Sequence, residues 1–180
     1  RGENMNFSVQ FRVRGDSFGG HFINGISMAE SESVWKCKKV IDDEDKTVYE
    51  SSDGYKITAY HIKKNDIYEC YTVFENNSES IAILEMLSSF CIEDVTADML
   101  HRATSFWSAE GKLLSQKLTS LNMERSWSGH GIRIEKFGQI GSMPVRKWFP
   151  FVAVEDSEKN EFIGVQLYCP SSWQIELFRY

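Results

Sequence analysis

From Asp66 to Glu75 the chain reads Asp-Ile-Tyr-Glu-Cys-Tyr-Thr-Val-Phe-Glu, and its side chains sort into two sets at every second position. Tyr68, Cys70, Thr72 and Phe74 point one way. Ile67, Tyr71 and Val73 point the other, interrupted by Glu69. A period of two belongs to an extended strand, whereas a helix brings together residues three and four apart. The aromatic and β-branched content suits a strand with both faces partly covered, and Asn76-Asn77-Ser78 ends it with turn-forming residues.

The same pattern recurs along the chain. Ser52-Asp53-Gly54 is a turn, and Tyr55 to Ile62 alternates again. Ile81 to Ile92 is a long apolar run with two serines inside it, which suits a buried strand pair or a bent strand better than a helix. Further short strands are expected at Ile132–Phe137, Phe149–Val154, Phe162–Tyr168 and Trp173–Phe178. Gly138, Gly141, Pro144, Pro150, Gly164 and Pro170 punctuate them. Many short strands with turns between them indicate an all-β sandwich or barrel. Lys112 to Leu121 fits two readings: Leu114, Leu118 and Leu121 share a helix face, while Leu114, Gln116 and Leu118 also share a strand edge. Without a linker or internal repeat, residues 1–180 are expected to form one continuous domain.

Charge and composition narrow the function. The chain carries a net charge of −6, and its short basic runs, Lys36-Cys37-Lys38-Lys39 and Lys63-Lys64, lack the stripe a phosphate backbone requires. No nucleic-acid partner is expected, and both runs read as solvated strand edges of the kind that block sheet-to-sheet association. No stretch approaches the roughly 20 apolar residues of a membrane span. Cys37, Cys70, Cys91 and Cys169 form no metal-spaced pair, which points to reduced thiols and a cytoplasmic setting. His21, His61, His101 and His130 show no zinc-ligand spacing, so neither metal nor cofactor is expected. Arg14-Gly15-Asp16 reads as a chance match to a receptor-recognised tripeptide. Asp16, Glu69, Glu85, Glu110, Glu124, Glu135 and Glu176 read as solvated or structural carboxylates, since no two can be assigned the facing geometry of a glycosidase.

Four ordered segments are less generic: Ser105-Phe106-Trp107-Ser108-Ala109-Glu110-Gly111-Lys112; Phe137-Gly138-Gln139-Ile140-Gly141-Ser142-Met143-Pro144-Val145-Arg146 followed by Trp148-Phe149-Pro150-Phe151; Gly164-Val165-Gln166-Leu167; and Ser172-Trp173-Gln174-Ile175-Glu176. In that order they resemble the amino-terminal domain of family 36 glycoside hydrolases, the α-galactosidase (melibiase) family. The resemblance runs from about Tyr55 to the end, and Leu84-Glu85-Met86-Leu87-Ser88-Ser89-Phe90 looks like a central strand region of the same domain. It implies a β-supersandwich of two large antiparallel sheets, similar to galactose mutarotase, with at most a short helix. It also implies a chain that precedes a separate catalytic (β/α)₈ barrel and carries no catalytic residue itself. The partners implied are that barrel, further copies in a homo-oligomer, and an α-galactoside substrate. Arg146, Trp148, Trp173 and Gln174 are the candidate sugar contacts, through aromatic stacking and planar hydrogen bonding. For the two tryptophans, anchoring the sandwich is the competing role. Two alternatives stand beside this reading: a carbohydrate-binding module acting alone, and a mutarotase-like enzyme, an activity that resembles a pairing of histidines with a glutamate base, for which His101 and His130 are the candidate histidines.

Overall fold

The computed structural model describes residues 5–17, 30–105, 107–121, 133–139, 147–168 and 171–179. These form two compact units, the first ending at Val95 and the second starting at Thr96. Every strand pair is antiparallel. With one four-residue α-helix among the described residues, the chain is all-β, as the alternation predicts.

The first unit contains β1 (Asn6–Ser8), β2 (Phe11–Val13), α1 (Glu32–Trp35), β3 (Cys37–Asp42), β4 (Lys46–Ser51), β5 (Tyr55–Lys64), β6 (Ile67–Asn76), β7 (Leu84–Leu87) and β8 (Cys91–Glu93). Strands β3 to β6 form a four-stranded meander, while β1 pairs with β8 and β2 with β7. Val9, Phe11 and Val13 pack on Ile57 and Ala59 of the meander, so the amino-terminal ribbons cover one of its faces. Phe11 and Ile57 are fully buried, each contributing about 1.5–3 kcal/mol through the apolar area it removes from water.

Two expectations change here. The outward face of β6 is open, with Ile67 63%, Tyr71 47% and Val73 40% exposed, because the ribbons cover only the face that carries Phe74. The run Ile81–Ile92 splits into β7 and β8, which pair with the amino-terminal strands rather than with each other. Ile81 at its start is 94% exposed. The first basic run is on an edge strand as expected, whereas Lys63-Lys64 ends β5, an inner strand of the meander. Lys36, just before the edge strand, is held by Asp16 at 2.7 Å, Asp53 at 3.0 Å and Glu32 at 3.4 Å. Asp16 also accepts from the Ser33 hydroxyl at 2.6 Å. The Arg14-Gly15-Asp16 tripeptide is therefore a turn whose aspartate is occupied internally, with Gly15 at φ 103°.

The second unit contains β9 (Met99–Thr104), a 3₁₀ turn at Trp107–Ala109, β10 (Leu113–Lys117), a second 3₁₀ turn at Leu118–Leu121, then β11 (Arg133–Gln139), β12 (Trp148–Asp156), β13 (Glu161–Gln166) and β14 (Trp173–Arg179). Both readings of Lys112–Leu121 hold in part: it is a strand that closes in one helical turn. The sheet order is β10-β9-β12-β13, and β11 and β14 form a separate ribbon. A register shift in β12 between Trp148 and Val152 accommodates Pro150, which has no N–H to give the ladder. Leu100 and Val152 of the sheet pack with Phe137, Trp173 and Ile175 of the ribbon. This unit, like the first, is a two-layer sandwich.

Candidate functional site

The candidate sugar contacts do not share one surface. Trp173 is 8% exposed and belongs to the core, and Trp148 packs half-buried against the same core. Both rings meet Phe137 edge-on, at centroid separations of 6.1 Å for Trp173 and 6.0 Å for Trp148. Gln174 follows Trp173 on the same strand and so points to the opposite face of the ribbon, where its amide donates to the Glu176 carboxylate. Arg146 lies outside the described residues. The tryptophans are anchors of the sandwich.

Arg102 completes this core, and sequence patterning alone did not single it out. Its guanidinium lies 4.6 Å from the Trp148 ring and 5.0 Å from Phe137, and it donates to Glu135 at 2.8 Å and to the Gln116 side-chain oxygen. A buried cation needs such partners, because desolvation otherwise costs several kcal/mol. Glu135, which read as a solvated carboxylate, is the counter-ion. Other carboxylates that could have been acids are also engaged: Glu69 by Lys64 and Glu85 by Arg12 and Arg14. Among the described residues no group of three His, Cys, Asp or Glu side chains could hold a metal ion, and no helix is long and apolar enough to cross a membrane.

Gly138 shows why the segment around it needs a glycine. A Cβ there would lie 2.1 Å from the Trp173 carbonyl oxygen, in a ribbon where Gly138 pairs with Gln174.

A second polar array lies on the other face of the four-stranded sheet. His101 Nε2 is 2.8 Å from Glu155 Oε2, and His101 Nδ1 is 2.8 Å from Ser115 Oγ. The three side chains span β10, β9 and β12. A serine, an imidazole and a carboxylate in sequence suggest a nucleophile relay. Such a relay also needs N–H donors aimed at a developing oxyanion beside the serine; Ser115 stands on β10, the edge strand of this sheet. His101 was a candidate catalytic histidine from sequence; Ser115, Glu155 and their neighbour Phe162 were not candidates. The strand Met99–Thr104 was not among the expected ones; in it His101 faces opposite to Leu100 and Arg102, and the strand order brings Ser115 and Glu155 to it. His130 lies outside the described residues.

Comparison with family models, with curated proteins and with solved structures returned no match.

Proposed function

We propose that this chain is the amino-terminal, non-catalytic β-sandwich domain of a cytoplasmic α-galactosidase of the family 36 type. In the whole enzyme it supports a separate catalytic barrel and the assembly of copies into an oligomer. The observation that carries the reading is the meeting of three of the four segments on which the resemblance rests, all but Ser105–Lys112. Phe137-Gly138-Gln139, Trp148, Val165, Leu167 and Trp173-Gln174-Ile175 lie far apart in sequence, yet their apolar side chains enter one core. Their aromatic rings face inward, as a supporting domain requires. Glu135 beside them serves as the ion-pair partner of Arg102, as expected where the reacting acids belong to another domain.

The test is turnover of 4-nitrophenyl α-D-galactopyranoside. The chain alone is expected to release no nitrophenol above buffer, and a family 36 barrel produced without its own sandwich is expected to gain activity when the chain is added. Hydrolysis by the chain that persists through purification, or a barrel indifferent to it, contradicts the reading.

A further inference from the structure

The outward face of the second unit's sheet carries Leu113, Ser115 and Lys117 on β10, Met99, His101 and Ala103 on β9, Phe151, Ala153 and Glu155 on β12, and Phe162, Gly164 and Gln166 on β13. Ala153 pairs with Gly164 on one side and with His101 on the other. The middle of this face therefore has a floor made of the smallest side chains. Taller groups stand around it: the Phe151 ring would meet a Cβ on Gly164 at 3.9 Å, and the Phe162 ring centre is 6.1 Å from that of His101. Phe162 is 58% exposed, so an aromatic surface is open to solvent beside a fixed polar array.

We propose that this face binds a neutral pyranose, with Phe162 stacking on the sugar's C–H face and Ser115, His101 and Glu155 receiving its hydroxyls. The chemistry follows from the hydrogen-bond directions. An ionised Glu155 can only accept, so His101 Nε2 carries the proton and donates to it. At Nδ1 the neutral ring accepts from the Ser115 hydroxyl, and the protonated ring donates to the Ser115 oxygen; in both cases the serine oxygen keeps a lone pair outside this contact. That lone pair and the second Glu155 oxygen are left as acceptors toward solvent, held in place by the ring between them. An array of acceptors next to an aromatic face matches a ligand that offers several O–H donors on one side and an apolar ring face on the other. An anion would be repelled by Glu155. A simple organic cation would use Glu155 and Phe162 but leave Ser115 idle.

The inference stands apart from the α-galactosidase reading: a failed turnover assay leaves it intact, and a failed titration leaves that reading intact. The experiment is an amide-resolved NMR titration of the chain with methyl α-D-galactopyranoside, with tetramethylammonium as the competing probe. Saturable shifts are expected for amides of 99–103, 113–117, 153–155 and 162, with Kd near 1 mM, about −4 kcal/mol. Phe162→Ala is expected to weaken binding roughly tenfold, the worth of one stacked ring, and Phe162→Tyr to restore it. Because Phe162 is largely exposed, its truncation leaves the core spectrum unchanged. Ser115→Ala is expected to weaken the sugar while leaving tetramethylammonium unaffected. The proposal is overturned by an absence of saturable shifts up to roughly 30 mM sugar, by shifts that map to the exposed Trp107, by full affinity in Phe162→Ala, or by tighter binding of the cation than of the sugar.

Discussion

The Arg102 guanidinium lies 4.6 Å from the centre of the Trp148 ring while donating to Glu135 at 2.8 Å, so a cation in the core of the second unit is held both by an aromatic face and by a carboxylate. The arrangement ties β9 to β11 and β12 at once. Removing the cation strands Glu135. Arg102→Ala is expected to destabilise the chain by about 3 kcal/mol, as for other broken buried pairs, and to shift Trp emission. Arg102→Lys is expected to recover only part of this, since an ammonium lacks the planar fork that reaches Glu135 and Gln116 together. Urea melts followed by fluorescence measure both.

Two glycines on neighbouring layers should respond oppositely to alanine. Gly138→Ala sets a Cβ against the Trp173 carbonyl and is expected to cost about 3 kcal/mol or more. Gly164→Ala meets only the Phe151 ring at 3.9 Å and is expected to change stability by less than about 1 kcal/mol, with reduced unfolded-chain entropy in its favour. Equal melting temperatures for the two variants would refute the close approach.

The cluster around Lys36 predicts a pH dependence. Hydrogen bonds from the Ser17 backbone and hydroxyl, with help from Lys36, hold the Glu32 carboxyl below its ordinary value of 4.5. A lowered carboxyl pKa stabilises the fold above 4.5 and loses that contribution as the pH falls through the folded value. Hydrogen bonding to Asp16 and Asp53 raises the Lys36 ammonium above its ordinary 10.5, so its contribution is complete below 10.5 and lost only as the pH rises beyond the raised value. The stability gap between the natural chain and Lys36→Gln is therefore expected to be constant from neutral pH to pH 9 and to shrink as the pH drops below 4.5. A gap unchanged in acid would contradict the ion-pair geometry.

Thiol chemistry gives a further check. Burial pushes the Cys37 thiol up to about 11 and raises that of Cys70, and the thiolate is the reactive form. At pH 8 both are expected to be alkylated by iodoacetamide far more slowly than in urea, read by peptide mass spectrometry. Reaction at the same rate in native and unfolded chains would show that these strands are not packed as described.

The β class was legible because alternation survives in single strands such as Ile67–Asn76, and because Gly and Pro mark the turns. Pairing was less so. Nothing in Ile81–Ile92 announces that β7 and β8 seek β2 and β1, since strand partners are chosen by packing across distant segments. The four-residue helix escaped notice because it is too short to show a helical period; Ser31, which accepts from the Val34 N–H, is its only local mark. The polar groups were hardest to place. Trp148 and Trp173 have the composition of sugar contacts, and only their burial assigns them to the core. Glu135 and Glu155 look alike in sequence, yet one neutralises Arg102 and the other orients His101 on the opposite face of the same sheet.

The central claim is that three of the segments resembling family 36, those containing Phe137, Val165 and Trp173, form one packed core that supports rather than binds. Denaturant unfolding of Trp173→Ala, run beside a galactoside titration of the same variant, tests it most directly. Emptying this site is expected to cost about 3–5 kcal/mol, with any sugar response of the folded fraction unchanged. A variant that keeps full stability but loses a sugar response present in the natural chain would contradict it.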